Sequence, residues 1–160
     1  MNSGGGILDF GCGSGRDSKA FKDAGYEVVA VDGSIELAKA ASELIGQDVV
    51  CSYFQDFETD KRFDGIWACA SLLHLQKDEL PAVISKLVSY LKPNGKLYMS
   101  FKYGSFEGHR NGRYYTDFTE ESMTKLFKEI GITEGFDYFI TSDVRPGRGE
   151  EKWLNVWIVT

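Results

Sequence analysis

The stretch Ile7-Leu8-Asp9-Phe10-Gly11-Cys12-Gly13-Ser14-Gly15 ends a short apolar run on an acidic residue and follows it with three alternating glycines. Glycine reaches positive φ without strain and lacks the Cβ that would hold a ligand off the backbone. A strand that turns into a helix here therefore offers its peptide groups to a nucleotide-like ligand. A carboxylate closing a buried strand also needs a polar partner, and a ligand amine or cation would supply one.

The rest of the chain agrees with that start. Strand and helix signals alternate from residue 5 onward, the pattern of βα units on a parallel sheet. Residues 5–9 form the first strand. A helix over 16–24 stops at Gly25, and the apolar run 27–32 reads as a buried second strand ending on Asp32. Ser34 caps a helix that runs through Leu44 with Gly46 as its stop, and a third strand over 48–53 leads to Gln55-Asp56-Phe57. Residues 63–70 are the fourth strand. Leu80, Val83, Ile84, Leu87, Val88 and Leu91 then follow helical spacing, with Pro81 tolerated in the first turn. Pro93-Asn94-Gly95 breaks this helix and turns the chain into a fifth strand over 96–101. Residues 102–117 show neither period and read as a long loop of the kind that often forms a lid. Thr119 caps a last helix stopped by Gly131, and strands over 138–142 and 153–160 flank a turn-rich segment too short for a crossover, so they pair antiparallel. The fold class is thus α/β: a doubly wound, Rossmann-like, seven-stranded, mostly parallel sheet with a C-terminal antiparallel hairpin strand, in one domain over 1–160.

Eighteen Lys and Arg against 24 Asp and Glu give a net charge of −6, which disfavours nucleic acid and anionic membrane surfaces as bulk partners. Cys12, Cys51 and Cys69 form no C-x-x-C pattern and read as reduced, mostly buried thiols, with no metal site expected. No basic, apolar leader and no run long enough to span a bilayer is visible, so a soluble cytoplasmic protein is expected.

In an open α/β sheet, ligands bind beyond the carboxyl ends of the strands near the point where strand order reverses. Asp9, Asp32 and Asp56 all fall at such ends. Asp32 lies 21 residues after Gly11, about the interval at which an acid after the second strand meets ribose hydroxyls. Any one of them alone could be a solvated or capping aspartate, and the set of three is the more informative signal.

The glycine spacing is G-x-G-x-G with Arg16 where a nicotinamide-binding G-x-G-x-x-G turn would place its third glycine. Here the chain resembles the class I S-adenosylmethionine-dependent methyltransferases. Asp9 to Gly15 is similar to their first motif, Asp32 to their ribose acid, Gln55-Asp56-Phe57 to the adenine-edge segment, Phe63-Asp64-Gly65-Ile66-Trp67 to the fourth-strand motif, and Leu91 to Lys96 to the turn before strand five. Arg16-Asp17-Ser18 and the compact size are similar to the tellurite-resistance type of small-molecule methyltransferase. The resemblance implies S-adenosyl-L-methionine as cofactor. Gly11 and Gly13 would admit its methionyl and sugar portions, and Asp9 would accept from its ammonium. Asp32 would hold the ribose while Gly33, Ser34 and Ile35 line the adenine. Asp56 would accept from the exocyclic amine, the Phe57 N–H would donate to the ring, and Ala70 and Ser71 would border methionine and acceptor. Only Met1 to Gly4 precede strand one, so the helical segments that usually cover the cofactor are expected to be missing: either the chain is a truncated product, or the 102–117 loop or a second subunit covers the site.

Methyl transfer from a sulfonium is an in-line displacement, in which the protein aligns the groups and excludes water. If a hydroxyl or amine acceptor must lose a proton, His74 is the first candidate base, followed by His109, Tyr103, Tyr114 and Tyr115 in the long loop. A packed loop histidine is the plain alternative for His74. For a soft anionic acceptor, Arg110 or Arg113 would attract the charge. The expected activity is methylation of a small-molecule acceptor, with the oligomeric state left open. Its rivals are a non-catalytic cofactor-binding partner subunit and a nicotinamide oxidoreductase.

Overall fold

The computed structural model describes residues 4–160. Its strands and helices, in chain order, are β1 (Gly6–Phe10), α1 (Arg16–Asp23), β2 (Glu27–Asp32), α2 (Ile35–Ile45), β3 (Val50–Cys51), β4 (Phe63–Ala68), α3 (Leu80–Ser89), β5 (Leu91–Lys102), β6 (Glu107–Arg110), β7 (Arg113–Thr116), α4 (Glu120–Glu129), β8 (Phe136–Ser142) and β9 (Lys152–Val159), with a 3-10 turn over Leu72–His74. Seven strands form one sheet in the order β3-β2-β1-β4-β5-β9-β8, parallel except for β9, which runs antiparallel to both neighbours. The expected architecture is present. The strand order reverses between β1 and β4, so the loops leaving these two strands flank the crevice where such sheets bind ligands.

Side chains of β2 alternate between two helical layers. Val28 and Ala30 pack with Ala41 and Ile45 of α2, while Val29 and Val31 join the cluster holding Leu80, Ile84 and Leu87 of α3 and Met123 and Phe127 of α4. Strands buried on both faces must be apolar throughout, which is why their sequence lacks a clean period. α2 begins where Ser34 Oγ accepts from the Leu37 N–H and ends on Gly46 in the left-handed region. Thr119 and Ser122 form a reciprocal cap at the start of α4.

Four sequence expectations need correction. β3 is only two residues long, and Asp56 lies in a turn beyond it, where the Asp56 and Phe57 N–H groups both donate to the Tyr53 carbonyl. The Pro93-Asn94-Gly95 turn does not precede β5 but sits inside it as a bulge, since Phe63 pairs with Leu91 and Gly65 with Lys96. Residues 102–117 are not an irregular loop: β6 and β7 form an antiparallel hairpin closed by Asn111 and Gly112, both at positive φ, the backbone that an Asn-Gly turn favours. Finally, Cys51 is exposed rather than buried.

Candidate functional site

The three glycines of the turn stand in two different surroundings. A Cβ on Gly11 would stand 2.4 Å from Ser71 Cβ and 3.1 Å from the Phe54 ring, and one on Gly15 would stand 3.1 Å from the Ala41 backbone of α2. Protein packing therefore requires both. A Cβ on Gly13 would meet nothing within 4 Å, so its face of the turn is open. Ser71 ties β4 to β1 by donating to the Phe10 carbonyl at 2.8 Å.

Asp32 braces the turn. Its two oxygens accept from the Gly13 N–H and the Ser34 N–H, each at 2.9 Å. An ionised carboxylate offers about four acceptor sites, so two remain for ligand hydroxyls. Beside it, Gly33 packs against Tyr53, and Tyr53 and Ile35 are 70% and 71% exposed. Two large apolar groups held in water next to an acceptor-rich acid form a surface suited to a flat heterocycle on a sugar.

Asp9 is nearly fully buried and accepts from Ser18 Oγ at 2.6 Å. Burial pushes its pKa up to about 6 against the Ser18 hydrogen bond, and the charges of Asp17 and Asp32 add to the rise. A cation placed beside this carboxyl would relieve that cost. Arg16-Asp17-Ser18 thus has a structural role. Ser18 holds Asp9, and Asp17 accepts from Trp67 Nε1 at 3.0 Å, tying α1 to the fourth-strand motif. Asp56 is not brought to this pair. It is exposed and lines a separate depression with Val29, Ser52 and Lys61. The Phe57 N–H is committed to its turn, and the Phe57 ring packs in the core against Phe10.

Beyond the ends of β4 and β5 lies a cavity of about 550 Å³. Ala70, His74 and Tyr115 line it, as do Arg16, Lys102 and Arg113. Ala70 holds a left-handed backbone, φ 49°, and its N–H donates to Ser100 Oγ at 2.7 Å; a non-glycine residue in this region marks strain retained where the surroundings impose it. His74 Nδ1 lies 2.8 Å from the Tyr114 carbonyl. A carbonyl only accepts, so Nδ1 carries the proton and Nε2 is left as the acceptor. Burial lowers the His74 pKa, outweighing the Tyr114 hydrogen bond, and the charges of Arg113 and Lys102 lower it further. The neutral, basic form is therefore favoured.

The remaining candidates separate. His109 is exposed on β6, edge-on to Tyr114, and does not line the cavity. The Tyr103 and Tyr114 hydroxyls donate to Glu120 and Glu107, each at 2.6 Å, which raises both phenols. Arg110 is bound bidentate to Asp117 and lies over the Phe106 ring, so it is unavailable as an anion receptor. The Arg113 side chain makes no hydrogen bond or ion pair among the described residues. Tyr53, Lys102, Arg145 and Arg148 escape a reading of the sequence, since isolated residues at strand ends and in turn-rich segments carry no pattern. Among the described residues no group of three or more His, Cys, Asp or Glu is placed to hold a metal ion, and no helix is long and apolar enough to cross a membrane.

Comparison with known proteins identifies the family and the fold. A family model described as a methyltransferase domain matches residues 7–95. An uncharacterised methyltransferase of Staphylococcus carnosus is 28% identical over 132 residues, covering 78% of this chain and 63% of its own length. The cypemycin N-terminal methyltransferase of a Streptomyces species is 33% identical over 98 residues, covering 58% and 40%. The chain thus spans less than two thirds of the length of either. Among solved structures, the 1,6-didemethyltoxoflavin-N1-methyltransferase of Burkholderia thailandensis, bound to 1,6-didemethyltoxoflavin and S-adenosylhomocysteine, superposes with a TM-score of 0.77 at 24% identity, over 99% of this chain and 72% of that one. TehB from Haemophilus influenzae gives the same TM-score at 15% identity, over 99% and 58%. The match to the family model covers more than half of the sequence and contains the glycine turn, Asp32 and β4; the chain belongs to the methyltransferase-domain family.

Proposed function

We propose that this chain binds S-adenosyl-L-methionine across the β1–β4 crevice and directs its methyl group to a small-molecule acceptor in the adjoining cavity. The observation that carries the reading is the pairing of Asp9 and Asp32 at one glycine turn whose Gly13 face is open. When bound, the cofactor supplies a methyl group on a positively charged sulfur and needs no redox partner.

The chain's own residues divide the work. Asp32 accepts from the ribose hydroxyls with its two unused sites, and Asp9 accepts from the ammonium. Ile35 and Tyr53 cover the faces of the adenine. The exposed Asp56 carboxylate is the acceptor available for the exocyclic amine, while the Phe57 N–H stays in its turn. Ala70 and Ser71 border the boundary between cofactor and acceptor. The small-molecule class is supported by the cavity's size and by the ligand of the toxoflavin methyltransferase. His74 Nε2 receives the acceptor's proton where one must leave, and Tyr115 packs edge-on against that imidazole at 4.8 Å and fixes its plane. His109 has no place in this mechanism.

Titration calorimetry with S-adenosylhomocysteine tests the cofactor half. Asp32→Ala should weaken binding by about 1.5–3 kcal/mol, roughly 10- to 150-fold, through loss of two charge-assisted hydrogen bonds. An unchanged dissociation constant would reject the assignment. A tritiated-methyl transfer screen over thiols, phenols, amines and oxyanions tests the rest.

A further inference from the structure

The cavity is lined by several cations in a chain whose net charge is −6. Lys102 ends β5, Arg113 begins β7, and Arg145 and Arg148 lie on the connection between β8 and β9; all four line the cavity. Their carboxylate partners are too few. Asp143 is spent on a bidentate bond to Arg145 and on Trp153 Nε1. Glu151 is shared among Lys102, Arg145 and Arg148 at 3.9–4.0 Å, outside hydrogen-bond reach of each. Arg113 has no carboxylate at all among the described residues.

Lys102 is the informative member. Only 17% of its side chain is exposed, and its ammonium makes no hydrogen bond among the described residues. It sits over the Tyr115 ring at 5.1 Å and near the Trp153 ring at 5.9 Å. A largely desolvated ammonium held by two ring faces and one distant, shared carboxylate lacks the hydrogen-bonded acceptor that buried charges ordinarily take. Arg113 lines the same cavity, and both charges reach His74. Arg16 is set apart because it opens α1 beside the glycine turn, on the cofactor side.

From this arrangement we infer that the acceptor carries an acidic group, a carboxylate or phosphate monoester, held by Lys102 and Arg113 with its body against Tyr115, Trp153 and Leu73. This deepens the methyl-transfer reading by naming the acceptor's chemical class. Its charge is read directly through binding, so the two can fail separately. Arg145 and Arg148 add attraction at the cavity mouth, while the anion at Lys102 fixes the acceptor's orientation relative to His74.

The test measures binding of benzoate, phenyl phosphate and neutral benzamide to the full chain, first alone and then saturated with S-adenosylhomocysteine. At least one anion should bind about tenfold or more tightly than benzamide in both states, with whichever anion is favoured identifying carboxylate or phosphate. The discrimination should shrink severalfold in Lys102→Met and in Arg113→Gln; the latter, on an exposed side chain, keeps the test valid if the lysine variant does not fold. The His74 ring resonances should titrate at higher pH when the favoured anion is bound, because it offsets two positive neighbours. Equal binding of benzamide and the anions, no measurable anion binding, or discrimination unchanged in Arg113→Gln overturns the inference. So does displacement of the anion by S-adenosylhomocysteine, which would give these cations to the cofactor. Anion discrimination in a chain that fails to bind S-adenosylhomocysteine would instead sink the methyl-transfer reading and leave the acidic-ligand pocket standing.

Discussion

Replacing Asp9 by Asn should change stability with a sign that depends on pH. The Asp9 carboxyl titrates near 3.8 when unperturbed and near 6 in the fold, chiefly because burial penalises its charge. Across a rise of about two units, at 1.36 kcal/mol each, ionised Asp9 costs the fold about 3 kcal/mol. The folded value is the raised one, so this cost is absent below pH 4, grows between pH 4 and 6 as the unfolded chain releases its proton first, and is complete above 6. Asp9→Asn removes it. The amide oxygen can still accept from Ser18 Oγ, but the new NH2 has no partner there, a loss of about 1–2 kcal/mol at every pH. The variant should therefore be less stable than wild type by about 1–2 kcal/mol at pH 4 and more stable by a similar amount at pH 7.5. For a chain of this length the difference in Tm between the two proteins should swing by about 6–12 °C, read by circular dichroism melts at the two pH values. The same variant should lose affinity for S-adenosylhomocysteine at pH 7.5, where wild type offers a carboxylate. A Tm difference that is the same at both pH values would refute the buried, high-pKa carboxyl and the reasoning from it.

The glycine turn gives a matched pair: Gly11→Ala forces a Cβ to within 2.4 Å of Ser71 Cβ at φ +88° and should cost several kcal/mol in urea unfolding, whereas Gly13→Ala, open at φ +57°, should cost only about 1–2 kcal/mol. The smaller change should nonetheless be the one that weakens cofactor binding in an otherwise folded chain; equal stability losses would contradict the packing argument. For an acceptor that must lose a proton, the rate should fall on the acid side only below pH 6.5, because burial lowers His74, and His74→Gln should remove that limb. Arg110→Met leaves the buried Asp117 carboxylate unpaired and should destabilise by about 2–4 kcal/mol at pH 7, with recovery in the Asp117→Asn double variant and little change in cofactor affinity.

The parallel half of the fold was legible because its signals are local. Ser34, Gly46 and Thr119 act as the caps their residue types imply, and the α3 stripe buries Leu80, Val83, Ile84 and Leu87 together. The Asn111-Gly112 dipeptide was an equally local signal for the β6–β7 hairpin, obscured because its flanking residues alternate weakly and only Thr116 of the eight is fully buried. The third strand misled for another reason. A third acid after a third strand presumes a strand long enough to aim it, and β3 pairs with β2 through only two residues.

The same contrast explains why a cofactor side could be proposed from the sequence and an acceptor side could not. The proposed cofactor surface comes from contiguous backbone: one turn from β1 to α1 and one from β2 to α2, where residue type and spacing fix the geometry together. The cavity is assembled from β4, β5, the hairpin and the β8–β9 connection, which lie far apart in the sequence and meet through the antiparallel insertion of β9 between β5 and β8. Lys102 reaches the cavity because β5 ends there, Arg113 because the hairpin folds back so that Thr116 Oγ1 donates to the Leu75 carbonyl, and Arg145 because Asp143 grips it. None of these placements leaves a spacing to read. A cationic wall built this way can change by single substitutions without disturbing the sheet, so on the proposed reading acceptor choice should be separable from cofactor binding. Arg113→Gln, which should alter anion discrimination while leaving S-adenosylhomocysteine affinity within about twofold of wild type, measures that separation directly; a parallel loss of both would show that the two halves are coupled through the hairpin.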